Sequence, residues 1–516
     1  MLGLHDVAIL GVAVIVVLFL LYTLLHSDSC EPPLVSSKIP FVGHLIGLIQ
    51  HGPGYFGIEK HCDRSIFAIN IFSFKIFVTS SPAIMRAAQK HPTVITLEPL
   101  VKFTQKHLCQ TPRDKLLHLY HSDGGQGLVS RIVHNMTPVL AGKSLDRMNK
   151  MIVQHLVPII DDMGNDEIVD LNAWLRHAIT IVSTNATYGN LNPFQNSHIE
   201  ETFWELERNV GLLMADIIPW FIVPKTWKAR KTICAAFKNY FDLGGHEDSS
   251  ELLAMRYRSF LGAGLTHEEI AYSEIPLIVG LLSNTVPAAF WVHFELFSRP
   301  ELLEEIREEL EQHALKIAPD GTHIIDMGCL RDNCPLLLSM YQEALRIRST
   351  VVAIRFVTQD VVLADKYFLK SGSMLLMPAK QSGRDQKAWG TSADEFDARR
   401  FMRSTITTEN KADKNRDPRR TGGFMAFGIS PTICPGRYLS TSEILALVAM
   451  ISLRYDIAPV DRHWHAPGKI KSATISNMCP VEGKFPVIVK KRQKYEGKSW
   501  QFEITEGKGQ FALAVG

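Results

Sequence analysis

The chain is poor in the features that usually announce a function class. Its eight cysteines are scattered, with no Cys-x-x-Cys and no paired spacing, so neither a disulfide framework nor a zinc site is indicated. That usage fits a reducing compartment. Net charge is nearly absent, 55 Lys+Arg against 53 Asp+Glu giving +2, which leaves no global field to attract nucleic acid or a general acidic partner. There is no internal repeat, no low-complexity run and no glycine-rich flavin or dinucleotide signature, so any redox chemistry needs electrons from outside. No Lys or Arg precedes residue 25, and no tryptophan precedes Trp174.

What is present is bulk and a few local patterns. With 516 residues, 46% hydrophobic and 21% charged, the chain can bury a large core, and length alone allows two to four domains. Val7 to Leu25 carries no charge and approaches the roughly 20 residues that cross a bilayer. A cleaved signal peptide would want a basic start and small residues after a shorter core, whereas Asp6 precedes this run and Tyr22 to His26 closes it. Residues 1–28 are therefore expected to be an uncleaved anchor. Lys38, Lys60 and Arg64 lie beyond it and place the body on the cytosolic side, where the sequons at Asn135 and Asn185 stay unmodified.

Residues 29–45, with Pro32, Pro33 and Pro40, read as a stiff extended hinge, and 46–516 as the body. Ile66 to Ser80 predicts a hairpin, and short strands are expected again near Val351 to Leu376 and Lys471 to Lys490. The stretch between, up to about residue 350, is mostly helical in pattern. The expected fold is one large, mainly α domain with a small β part. Thr407 to Arg420, carrying Lys411, Lys414, Arg416, Arg419 and Arg420, is the one strongly polar segment, either a solvated loop or a docking patch.

Three local patterns invite chemistry. Phe427 to Arg437 sets Cys434 in a Pro/Gly-punctuated turn before an apolar helix, at whose positive end a thiolate would be stabilised; metal or haem ligand, nucleophile and buried structural cysteine all stay open. In the long helical run His267 to Ser298, Pro287 has no N–H for the Ser283 carbonyl. The helix should bow there, making a polar notch with Asn284 and Thr285 or merely a tolerated kink. Glu343 and Arg346 stand three apart on a helix, a spacing repeated at Glu205/Arg208 and Glu304/Arg307. The Glu343 copy differs by its apolar setting, and Arg400 is offered as a third member.

In this order, these residues resemble the cytochrome P-450 superfamily of haem-thiolate monooxygenases. The family's cysteine loop is met by Phe427, Gly428, Cys434 and Gly436, and its Glu-x-x-Arg helix by Glu343 and Arg346. Its Pro-Glu-Arg-Phe segment survives as Ala398-Arg399-Arg400-Phe401. Departures are the Asn284 before Thr285 in place of an acid, Ser430 and Thr432 in place of a glycine and a basic residue, and the missing Trp-x-x-x-Arg. Asn284 to Trp291 and Thr432 to Arg437 are similar to the branch with cholesterol 7α-hydroxylase, sterol 12α-hydroxylase and prostacyclin synthase, and Tyr188 to Phe194 to fungal members.

The resemblance implies haem b, with Cys434 as the axial ligand of its iron and Phe427 and Gly436 packed beside the sulfur. Thr285 and the Ser283 carbonyl would organise water for proton delivery, with Asn284 able only to orient it. Arg355 would meet a haem propionate, and Glu343, Arg346 and Arg400 would be scaffold. It further implies a single-pass protein of the endoplasmic reticulum membrane, supplied by NADPH-cytochrome P-450 reductase, docking on Lys411 to Arg420. The substrate would be a sterol or triterpenoid, entering past Leu97 to Gly127 and touching Ala288, Val351 to Ile354 and Met478. The rival readings are a prostacyclin-synthase-like isomerase or dehydratase that needs no reductase, and a non-catalytic haem- or lipid-binding membrane protein.

Overall fold

The computed structural model describes residues 30–513 apart from 38, 40–42, 58–63, 73, 116–126, 403–422, 469–477 and 508. The expected anchor and the basic segment Lys411 to Arg420 lie outside the described residues. Helices dominate, and the labels used below are α1 (Glu98–His107), α2 (Gly142–Asp161), α3 (Leu171–Tyr188), α4 (Pro224–Asp242), α5 (His267–Leu282), α6 (Thr285–Phe297), α7 (Pro335–Arg348) and α8 (Arg437–Arg454).

The β part centres on a five-stranded sheet. The expected hairpin forms as β1 (Phe67–Ile71) and β2 (Phe74–Val78), and the sheet is completed by β3 (Ile95–Thr96), β4 (Val352–Val357) and β5 (Met374–Pro378), in the order β1-β2-β5-β4-β3. Residues 30–37 are extended, as the prolines require, but they are not a free spacer. Val35 N–H donates to Ala68 O and Ala68 N–H to Pro33 O at 2.8 and 2.9 Å, tying the segment to β1. A helix already starts at Gly43, inside the expected hinge. Sequence pattern missed Glu167–Asp170, which joins Tyr455–Pro459 and Pro486–Lys491 in a second sheet, and Leu315–Ile317 with His323–Asp326 in a third. These strands are too short for a period-2 pattern to stand out from the surrounding helices.

The core runs through α5 and α6. Together, 267–297 is long and apolar enough to cross a membrane, yet 72% of its most apolar window is buried inside the protein, as for a central core helix. All thirteen residues of α6 are buried. The run is not one continuous helix. It breaks at Ser283 and Asn284, four residues before Pro287, where the proline withholds its N–H. Two further helices flank the break: α7, beginning at Pro335 with its first free amides, Leu336 and Leu337, held by Glu309, and α8.

Candidate active site

The loop before α8 is built as a two-residue ladder, β6 (Gly428–Ile429) against β7 (Thr432–Ile433). Gly428 sits at φ +86°, a left-handed conformation in which a Cβ would also meet Thr432 O at 3.1 Å, so the loop needs glycine there. Cys434 N–H donates to Phe427 O at 2.8 Å, which fixes the sulfur at the loop's end. Pro435 precedes Gly436, the residue that caps the start of α8, so its missing amide costs the helix nothing. Arg437 Nη1 closes back on Cys434 O at 2.9 Å.

The sulfur is open to an internal cavity and otherwise enclosed by protein. Burial pushes the Cys434 thiol above its ordinary pKa; the amides of Gly436 and Arg437 and the Arg437 charge pull the other way and do not prevail. The helix-end amides act in the direction expected from sequence, and desolvation outweighs them. A cation bound to the sulfur would have to replace the proton.

The sulfur faces a cavity that is partly open to solvent and mostly apolar in its lining. Gly280, Leu281, Asn284, Thr285 and Ala288 line it from the α5–α6 break, Tyr341 and Leu345 from α7, and Phe427, Cys434, Gly436, Leu439 and Ile444 from the loop and α8; Met478 adds to the wall. Of the substrate contacts expected from sequence, Ala288 and Met478 reach this cavity, whereas Val351 to Ile354 are not among its lining residues. Thr285 Oγ1 donates to Leu281 O at 2.7 Å rather than pairing with the Ser283 carbonyl, and Ser283 Oγ is buried without a partner.

Arg355, on β4, is 7% exposed and reaches the cysteine loop, where Nη2 donates to Thr432 Oγ1 at 2.6 Å and Ile429 O at 3.1 Å. Among the described residues no carboxylate is paired with this guanidinium, so a buried positive charge faces the loop uncompensated. A mostly apolar cavity with a cysteine on its wall and an arginine beside the cysteine loop fits a haem, whose iron the sulfur would hold and whose carboxylates would need a cation.

Behind the cavity, α7 carries a fully buried pair. Arg346 Nε and Nη2 hold Glu343 Oε2 and Oε1, each at 2.7 Å, and Arg400 Nε reaches Glu343 Oε1 at 3.1 Å. Arg346 also donates to the carbonyls of Gly383, Ala393 and Glu395. The other two copies of the spacing are different objects: Arg208 is 58% exposed in its 3.6 Å pair, and Glu304 56% exposed in its 3.4 Å pair. Sequence reading overlooked one cavity group. Glu443, buried on α8, accepts from Ser183 Oγ at 2.8 and 2.9 Å, and burial raises its pKa to about 8 against that hydrogen bond. The signal was available, since Glu443 is the one acid in the apolar run Leu439 to Val448.

Comparison with known proteins agrees with this geometry. The Cytochrome P-450 family model matches residues 32–471. The chain is 34% identical over 502 residues to Cytochrome P-450 monooxygenase nodJ of Hypoxylon pulicicidum, covering 95% of each chain. It is 25% identical over 264 residues to cholesterol 7-alpha-monooxygenase of Cricetulus griseus, covering 48% of this chain and 51% of that one. Among solved structures, retinoic acid-bound cyanobacterial CYP120A1 superposes with a TM-score of 0.68 at 15% identity, over 90% of this chain and 99% of that one, which speaks to the fold. The chain belongs to the cytochrome P-450 family of haem-thiolate monooxygenases.

Proposed function

We propose that this enzyme oxidises a rigid apolar lipid, a sterol or triterpenoid, in fungal secondary metabolism, with Cys434 as the residue whose sulfur would hold haem iron. The observation that carries this is the meeting of Cys434, Thr285 and the apolar side chains of Ala288, Leu345, Ile444 and Met478 on one cavity. The resemblance to the 7-alpha-hydroxylases supports the sterol-like substrate. When bound, the haem supplies oxygen activation. The chain's own groups do the rest. Arg355 and the Thr432 hydroxyl beside it would bind a haem carboxylate, and Phe427 and Gly436 line the cavity with Cys434. Thr285, already donating to Leu281 O, keeps its lone pairs for a water, and Asn284 orients water without supplying a proton as an acid would.

Two exposed apolar segments support membrane association. Leu212, Ile217, Ile218, Trp220, Phe221 and Ile222 are 50% to 79% exposed, and Phe72 and Phe74 are 51% and 59% exposed. Exposed apolar side chains of this kind dip into a bilayer interface and complement the anchor proposed for residues 1–28 and the hinge at 29–45 that leads to the body at 46–516. The location proposed is the endoplasmic reticulum membrane with the body cytosolic. NADPH-cytochrome P-450 reductase supplies the electrons, docking on the basic segment Lys411 to Arg420.

Thr285→Ala is expected to raise hydrogen peroxide released per product by about tenfold, because proton delivery loses its positioned hydroxyl. Peroxide and product are counted in the same turnover assay; unchanged coupling removes Thr285 from the role. The function itself is tested by incubating membranes that contain the protein and a reductase with a panel of sterols and triterpenoids. NADPH-dependent mass gains of one oxygen are expected, and rearrangement without NADPH would instead favour the isomerase reading.

A further inference from the structure

Arg230, on α4, is 1% exposed and is among the largest fully buried side chains. Its Nη1 donates to His107 O at 3.0 Å, which caps the last carbonyl of α1. Among the described residues its Nε and Nη2 have no hydrogen-bond partner. These two atoms form the side-on edge of the guanidinium, the edge with which Arg346 grips both oxygens of Glu343 at 2.7 Å. Among the described arginines, Arg256, Arg384 and Arg437 leave Nε alone unpartnered, and Arg230 leaves the whole edge.

The surroundings do not neutralise it. The groups that act on its charge are Tyr272, Cys234, Asp216 and Cys109, of which Asp216 alone is an acid. Asp216 is 47% exposed and already paired with His107 Nδ1 at 3.0 Å. Glu274, the buried acid of this region, is taken by Arg256 at 3.0 Å and by the Tyr188 hydroxyl at 3.2 Å. A buried cation with an empty bidentate edge is costly unless an anion arrives.

Tyr272 stands on α5, whose later residues Gly280 and Leu281 line the Cys434 cavity. At 1.5 Å of rise per residue, Tyr272 and Thr285 are about 20 Å apart along the helix direction. Arg230 and Tyr272 are not among the residues lining the Cys434 cavity, so a rigid skeleton would have to extend along α5 by about this length to join the two.

We propose that the Nε–Nη2 edge of Arg230 receives a carboxylate on the lipid substrate, so that the enzyme selects acids of the rigid-lipid class over their neutral counterparts. This rests on the substrate reading given above. The edge is closed in the present conformation, so binding requires α1 to part from α4, where the His107 carbonyl and the His107–Asp216 pair join them. The role of Arg230 is to recognise and orient the substrate, without touching the reacting atoms.

The test uses the haem-loaded full-length protein and two probe pairs, lithocholic acid with its methyl ester and oleanolic acid with its methyl ester, each titrated by the shift in the Soret band. At least one acid is expected to bind about 10- to 100-fold more tightly than its ester, the range of a charge-assisted hydrogen-bonded pair. Arg230→Gln should lose that preference while its ester affinity holds, and Arg230→Lys should keep part of it; the reduced carbonyl spectrum reports that each variant is folded and loaded. Esters that bind as well as the acids, or an Arg230→Lys or Arg230→Gln protein that loses acid and ester alike, would overturn the inference alone and leave Arg230 a cap for α1. No shift with any of the four would overturn the rigid-lipid reading, and this inference with it.

Discussion

Glu343→Gln is expected to lower the unfolding free energy by about 3–5 kcal/mol, the cost of leaving a buried charge without its partner. Both Glu343 and Arg346 have fully buried side chains, so the guanidinium of Arg346 would keep its carbonyl partners and lose its only counter-charge on α7. The glutamine amide keeps one oxygen. Either that oxygen still serves Arg400, the Asp397 amide and Arg346 Nη2 while the new NH2 faces Arg346 Nε, or the reverse, and in both cases one set of donors loses its acceptor. Because these contacts tie α7 to the segment 383–400, the loss should spread to haem retention. Removing both charges would not restore stability, since Arg346 also satisfies three backbone carbonyls. Glu205→Gln is the control: its pair is exposed, and a change of less than about 1 kcal/mol is expected. Denaturant midpoints for the two variants decide the matter, and equal small shifts would show that the buried pair contributes no more than a surface one.

Glu443 gives the second large effect, and its sign depends on pH. In the fold its carboxyl titrates at about 8, against 4.5 as the reference value. Between those values the folded protein holds a proton that the unfolded chain has released, so folding takes up a proton and stability falls as pH rises. The favourable contribution is complete below about 4.5 and gone above about 8, a span worth at most about 5 kcal/mol. Glu443→Gln keeps an acceptor for Ser183 and removes the titration. The stability of the variant relative to the native protein should therefore rise from pH 5 to pH 8.5 by several kcal/mol. A difference that stays constant across that range would mean Glu443 is already ionised in the fold.

How much of this was legible beforehand depended on whether a signal was local. The hairpin at β1 and β2, the break before Pro287 and the glycine of the cysteine loop follow from short-range chemistry, a β-branched run, a missing N–H and a positive φ. The Glu343–Arg346 spacing was visible but uninformative, because three copies share it and burial alone separates them. Burial is a property of the packed whole. For the same reason the Ser183–Glu443 contact, joining residues 260 apart, could not be read from either residue. At Cys434 the helix-end contribution has the sign read from the sequence, and what could not be read there was the opposing desolvation by the surrounding protein. Arg230 was overlooked because an arginine on a helix is ordinary until its missing partners can be counted.

Every functional statement above depends on Cys434 being the sulfur that holds the iron. The most direct measurement is the absorption spectrum of the reduced carbonyl complex, recorded for the native protein and for Cys434→Ala prepared side by side, with the haem content of each determined separately. The native protein should show the strongly red-shifted Soret band of a thiolate-ligated haem, and Cys434→Ala should lack it. Persistence of that band in Cys434→Ala would contradict the account.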